Sequence, residues 1–274
     1  MSDKENSAVY EVFAIRYATR EGRRANNFIG GDPHDGPMPM DYFIWVARNA
    51  DRCVVIDAGF TEVVGRSRGR VPLRAPVEAL GQLGIDPAQV QDLIITHMHY
   101  DHAGDLAPFT SARFHIQEAE MHFVAGRQMR HEELAKHFEV EDVVRMIRLN
   151  FAGRVDMYRG SARIAPGVHI HPVGGHSPGL QFVSVNTARG RVVIASDAAH
   201  YYENLEKRRP FSTAYHVGDM LDAFTILEEV ADSVDHIVPG HDPEVMKRYP
   251  APAPSLEGIC VRLDVAPNTR ATTS

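Results

Sequence analysis

Cysteine is scarce: two in 274 residues, so no disulfide framework staples this chain. Cys53 sits in the apolar run 53–56, where a buried thiol behaves as a small hydrophobe. No stretch approaches the roughly 20 consecutive apolar residues that span a bilayer, and the start, residues 1–7, is polar with no apolar signal core. A cytoplasmic protein without a membrane partner is therefore expected. An excess of positive charge is missing too. Lys and Arg number 29 against 36 Asp and Glu, a formal charge of −7, the opposite of the basic footprint that a phosphate backbone selects. Nucleic acid is excluded as the expected partner. Internal repeats and low-complexity linkers are absent, and 44% hydrophobic residues supply a sizeable core, so residues 1–274 are read as a single domain.

What the chain has in abundance is histidine, 15 residues in all. Their setting follows from the coarse pattern of elements. Short β-branched runs at 9–17, 42–47, 53–56, 93–96, 114–117, 168–171, 182–186, 192–195 and 236–238 read as strands. Helical patterns at 76–83, 118–124 and 218–230 are interleaved with them, the last with Met220, Leu221, Phe224, Leu227 and Val230 on one face. Interleaving of this kind argues for sheets covered by helices, an α/β class. The segment 131–150 is the longest helical candidate. Its Val140, Val143, Val144 and Ile147 are expected to face the core, with a pocket wall or dimer face as the alternative. Two irregular loops, 29–40 and 60–74, stand out. The second carries Arg66, Arg68, Arg70 and Arg74, which read as a solvated surface before a substrate-binding loop. The segment 250–254 is expected to be extended and the last residues frayed.

The run from 97 to 102 places His97, His99, Asp101 and His102 directly after an apolar strand. In extended chain, His97 and His99 point to the same side, because residues two apart share a face. Asp101 and His102 follow as the chain turns, within reach of a second ion. A catalytic zinc takes about three protein ligands and keeps a position for water, so two ions need roughly three more. Suitable donors each end a later strand: His176 in a glycine-bounded turn, Asp197 where it can bridge both metals, and His241 after Pro239 and Gly240. His34, His115, His122, His131, His137, His169, His171, His216 and His236 lack such spacing and are left unassigned.

An HxHxDH run followed in order by His176, Asp197 and His241 resembles the metallo-β-lactamase superfamily. The resemblance spans residues 42–241 and includes an Asp57, Ala58, Gly59 turn. It implies a four-layer αβ/βα sandwich, two mixed β-sheets face to face with helices outside and metals at one edge. It also implies two Zn2+, with other divalent ions such as Fe, Mn or Co as substitutes. His97, His99 and His176 would hold the first ion, Asp101, His102 and His241 the second, with Asp197 bridging. Within the superfamily, segments 96–104, 175–179 and 197–206 look most like the quorum-quenching N-acyl homoserine lactonases. Those enzymes usually carry a tyrosine three residues after the bridging aspartate, where this chain has His200, followed by Tyr201 and Tyr202.

The implied reaction is hydrolysis of an N-acyl homoserine lactone or a related small lactone by a metal-bridging hydroxide. His200 or Tyr201 would polarise the carbonyl and Asp101 would pass a proton to the leaving alkoxide. Met40, Phe43, Phe211 and Tyr215 are expected at the mouth as an acyl-chain surface. A glyoxalase II type thioesterase, a hydrolase of another cyclic ester or amide, and an inactive metal-binding scaffold are the alternatives. The chain is expected to act as a monomer or homodimer.

Overall fold

The computed structural model describes residues 8–268; the polar start at 1–7 and the final residues expected to fray lie outside that range. Among the described residues thirteen strands are defined: β1 (Glu11–Arg20), β2 (Met40–Arg48), β3 (Cys53–Ile56), β4 (Val71–Pro72), β5 (Asp92–Ile94), β6 (Arg113–Gln117), β7 (Val155–Tyr158), β8 (Ala162–Ala165), β9 (Val168–Pro172), β10 (Gln181–Thr187), β11 (Gly190–Ser196), β12 (Ile237–Pro239) and β13 (Cys260–Arg262). They form two sheets. One runs β13-β1-β2-β3-β5-β6-β7 with β4 paired to β1, and the other runs β12-β11-β10-β9-β8. Both are mixed: β3, β5, β6 and β7 pair in parallel, as do β11 and β12, while the remaining pairs are antiparallel.

Alternation explains why these strands are apolar throughout. In β2, Phe43, Trp45 and Ala47 point between the sheets, and Tyr42, Ile44 and Val46 point the other way, under helices. In β11, Val192 and Ile194 face the first sheet while Val193 and Ala195 face the Val217–Val230 helix. A strand buried on both faces has no polar side to show. Helices close both outer faces: Pro76–Gln82 and Glu118–Val124 contribute Ala79, Leu80, Met121 and Phe123 to one outer core, and Val217–Val230 contributes Ala223, Phe224 and Leu227 to the other. The result is the expected αβ/βα sandwich. Among the described residues, no helix is long and apolar enough to cross a membrane.

The segment 131–150 departs from the expectation. It is not one helix but two, Glu132–Ala135 and Val140–Phe151, and Val217–Val230 is longer. The break has a cause in the intervening backbone. His137 O accepts from Tyr100 N at 3.0 Å, and Arg68 donates to Lys136 O and Phe138 O. These carbonyls are satisfied by the metal run and the arginine loop instead of by a helix. The face also differs: Met146 and Asp142 are buried with Val143 and Leu149 packed near them, while Val140 is 74% and Ile147 36% exposed.

Neighbouring residues on this helix therefore answer differently to truncation. Met146→Ala should cost about 2–5 kcal/mol and Ile147→Ala less than about 0.5, read from urea unfolding by fluorescence of Trp45, the single tryptophan, which is fully buried between the sheets. Asp142 gives a pH signature. Burial first, and then Glu139, push its carboxyl from 3.8 up to about 7, and its Oδ2 is buried without a hydrogen-bond partner. The folded state thus holds a proton that the unfolded state releases, and stability falls as pH rises through that window. Asp142→Asn should match the parent near pH 4, gain on it as the pH rises, and level off above about 7; an advantage that does not vary with pH would refute this assignment.

Candidate metal centre

Four strand ends meet at one edge of the sandwich. β5 runs into Thr96 and His97, β9 leads to His176, β11 ends at Ser196 and Asp197, and β12 delivers Gly240 and His241. All seven predicted ligands are buried. They fall into overlapping groups whose donor atoms lie within 4.8 Å of one another: His97, His99, His176 and Asp197; Asp101, His102 and His241; and Asp197, His200 and His241.

Asp197 stands at the centre. Its Oδ2 lies 3.8 Å from His97 Nε2 and 3.0 Å from His176 Nε2, and its Oδ1 lies 3.1 Å from His102 Nε2 and 3.0 Å from His241 Nε2. One carboxylate therefore faces two separate sets of imidazoles. Asp101 Oδ2 lies 3.9 Å from both His102 Nε2 and His241 Nε2, placing it with the second set. His97 Nε2 and His102 Nε2 are buried without hydrogen-bond partners, and His99 Nδ1 approaches His176 Nε2 to 2.9 Å. Orphaned nitrogens and crowded lone pairs fit cations better than they fit one another.

The opposite ring nitrogens are tied down. His102 Nδ1 meets Asp57 Oδ2 at 2.7 Å, His176 Nδ1 meets Thr213 O at 2.9 Å, and His241 Nδ1 meets Asp41 O at 2.9 Å. Each such bond places the proton on Nδ1 and leaves the Nε2 lone pair facing inward. Asp57 also accepts from Thr96 N and Thr96 Oγ1, whose hydroxyl reaches Ser196 Oγ. Asp57 and Ser196 adopt φ of 60° and 47°, strained for non-glycine residues and held by these bonds.

Burial pushes the pKa values of His97 and His99 well below the ordinary imidazole range, with neighbouring imidazoles adding to it. Burial opposes charge on His102 as well, but Asp197, Asp57 and Asp101 outweigh it and hold that ring well above its usual value. Asp197 is buried, yet His200, His241, His102 and His176 keep its carboxyl well below the usual range.

Two cavities adjoin this cluster. One of about 180 Å³ is lined by metal-run residues with Met40, Tyr42, Arg20, Arg70, His200 and Phe211. A second of about 330 Å³ shares His99, His137, His176, Ser212 and Thr213 and extends to Phe123, Leu134, Phe138 and Tyr215. His200 lies on the wall of the smaller one, its ring stacked 3.7 Å from Phe211 and its Nε2 3.0 Å from Asp197 Oδ2, while its Nδ1 is buried without a partner. Burial holds its pKa down at about 3. Tyr201 does not join it. Its hydroxyl accepts from Asn27 Nδ2 at 2.9 Å and donates to Pro39 O at 3.2 Å, and its ring packs in a cluster with Met40, Phe211 and Met220 instead of lining the cavity. The expectation that Tyr201 shares the carbonyl role is corrected accordingly. Phe43 is corrected as well: alternation along β2 sends it between the sheets, whereas Met40, Phe211 and Tyr215 do line the cavities.

Two functional neighbours escaped the sequence reading. His137, left unassigned, lies 5.1 Å ring to ring from His99 and lines both cavities. Glu120 is completely buried and accepts from Met98 N at 2.9 Å, Ser177 Oγ at 2.7 Å and Gly179 N at 2.9 Å. It fastens the His97 to His99 loop to the His176 loop. Gly179 is required there, because a Cβ would sit 2.2 Å from Glu120 N. No spacing marks either residue; the only signal is that the Glu118–Val124 helix starts where β6 ends, beside β5.

Residues 39–241 match the model of the metallo-β-lactamase superfamily. An N-acyl homoserine lactonase of Bacillus thuringiensis is 30% identical over 173 residues, 62% of this chain and 63% of that protein. One from Bacillus sp. is 30% identical over 137 residues, 50% of this chain and 49% of that one. The chain thus spans between about half and just under two thirds of the length of these curated relatives. Among solved structures, a quorum-quenching N-acyl homoserine lactone lactonase superposes with a TM-score of 0.73 at 21% identity, covering 87% of this chain and 95% of that one. A dizinc quorum-quenching lactonase in complex with a product gives 0.65 at 15% identity, covering 85% and 86%. The likeness to solved structures is one of fold, but the family match reaches well past half of the sequence and includes every residue of the metal cluster; on it, the chain belongs to the metallo-β-lactamase superfamily.

Proposed function

We propose that this protein is a dinuclear zinc hydrolase that opens a lactone ring, with an N-acyl homoserine lactone or a related small lactone as its substrate. The observation that carries the reading is the division of labour at Asp197, one oxygen toward His97 and His176 and the other toward His102 and His241. A donor set of imidazole and carboxylate without thiolate suits zinc, and substitution by Fe, Mn or Co is compatible with it. His97, His99 and His176 would hold one ion, Asp101, His102 and His241 the other, and Asp197 both. Bound there, the ions supply Lewis acidity, making water nucleophilic near neutral pH and stabilising charge on oxygen. Similarity to proteins named N-acyl homoserine lactonases supports the choice of substrate.

The chain's own residues set the rest. Asp57, Thr213 and Asp41 fix the tautomers and orientation of His102, His176 and His241. The oxygen of water adds to the carbonyl carbon, the ring C–O bond breaks, and the alkoxide takes a proton, so lactone and water become a hydroxy acid. Asp101 carries that proton, since it lines the cavity and is held in place through its backbone carbonyl by Tyr17 Oη at 2.8 Å. His200 stands beside the reacting carbonyl, where the lactonases of this family usually have tyrosine.

Zinc-loaded protein should carry two equivalents of metal by elemental analysis. It should hydrolyse members of a panel running from γ-butyrolactone through short and long N-acyl homoserine lactones to aromatic lactones. Turnover of thioesters with no lactone would establish the thioesterase alternative instead. His200→Tyr should raise kcat/KM on N-acyl homoserine lactones by roughly tenfold, the worth of one well-placed donor. Unchanged rate and specificity would remove His200 from the reacting centre.

A further inference from the structure

The metal cavity contains two positive charges that the lactone reading does not use. Arg20 ends β1, and Arg70 precedes β4; both line the same cavity as His99, Asp101, His200 and His241. The antiparallel β1/β4 ladder pairs Ala18 with Pro72 and Thr19 with Val71. Continued by one residue, that register sets Arg20 beside Arg70. Like charges placed opposite each other on paired strands repel, and a half-buried guanidinium has lost part of its hydration. Such an arrangement calls for an anion between or before them.

The protein supplies none. Among the described residues, neither side chain has a carboxylate within 4.0 Å, whereas Arg16, Arg23, Arg24, Arg66, Arg68 and Arg209 all do. Arg20 Nε lies 3.0 Å from Met40 Sδ, a weak acceptor, and Arg70 Nε donates to the neutral Tyr100 hydroxyl at 2.8 Å. The carboxylates lining this cavity, Asp101 and Asp197, belong to the metal cluster. Arg20 Nη2 also lies 2.6 Å from Met40 Sδ, and among the described residues Arg20 Nη1 and both Nη atoms of Arg70 make no hydrogen bond, leaving them for a planar oxyanion.

We propose that Arg20 and Arg70 form an anion-recognising corner of the substrate cavity, and that the substrate is a lactone bearing its own carboxylate. This rests on the lactone-hydrolase reading and narrows it, because a neutral acyl homoserine lactone offers neither guanidinium an anionic partner. Two charge-assisted contacts are worth a preference of roughly 10 to 100-fold.

The test compares γ-butyrolactone with its γ-carboxylate on metal-loaded protein. The carboxylate should be favoured in kcat/KM by at least about tenfold, and the preference should shrink in high salt. Substituting Arg20→Gln and Arg70→Gln together should collapse it to within about twofold, with metal content and Trp45 fluorescence confirming the fold. A wild-type preference below twofold, or one that survives the double substitution, overturns the assignment while leaving lactone hydrolysis standing. If neither these two nor any other lactone of the panel is turned over, the lactone reading fails, and calorimetry with the ring-opened acids still decides the anion corner. α-Hydroxyglutarate, with two carboxylates, should bind about tenfold more tightly than γ-hydroxybutyrate, with one, and the double substitution should erase that difference. Equal binding to the unmodified protein would overturn it.

Discussion

A buried carboxylate is the constraint around which this molecule is organised. Asp197 sits at the end of β11 behind a serine in left-handed conformation, almost free of solvent, where an ion unaided would be far too costly. Imidazoles on both sides make it tolerable, and they come from three other strand ends, those of β5, β9 and β12. The parallel pairing of β11 with β12 brings His241 to one oxygen, and the face-to-face packing of the sheets brings the run after β5 to both. Gly240 belongs to the same arrangement: a Cβ there would lie 2.6 Å from Ser196 O and push the two loops apart.

Around that centre the charges alternate outward. Asp197 faces His102, His102 faces Asp57, and Asp57 is held by Thr96. Burial raises the Asp57 carboxyl while His102, 2.7 Å away, pulls it down, so neither group stands alone. The strained conformations of Asp57 and Ser196 lie on either side of this chain and are linked through Thr96 Oγ1. Strain is concentrated where the geometry of the ligands is set.

Much of this was legible in the sequence because the clustered histidines and aspartates are carried by short local patterns. His97 to His102 is a single run, and His176, Asp197 and His241 each follow an apolar strand, so the ends of the strands marked the edge of the sheets. Strands buried on both faces announced themselves as continuous apolar runs. What stayed hidden depends on contacts between distant segments. Glu120 is an ordinary helical glutamate until the fold sets it under Met98 and Gly179. His137 has no ligand spacing and reaches the site because its own carbonyl caps Tyr100. The buried stripe of the Val140–Phe151 helix differs in part from the apolar pattern, since Met146 and Asp142 are inward with Val143 packed beside the core, while Val140 and Ile147 are out. Periodicity gives the angle of an apolar stripe but not which of two adjacent stripes a neighbouring sheet will cover. Arginines of the 60–74 loop divided unexpectedly: Arg66 pairs with Glu62 on the surface, whereas Arg70 turns inward to the cavity.

The Glu118–Val124 helix joins two features that have been treated separately. Glu120 grips the two histidine loops, and Phe123, three residues further on, is a wall of the larger cavity. They share one rigid element of seven residues. A molecule lodged against Phe123 therefore leans on the same beam that holds His97, His99 and His176 in register, and the spacing of these imidazoles becomes sensitive to what fills the cavity beside them.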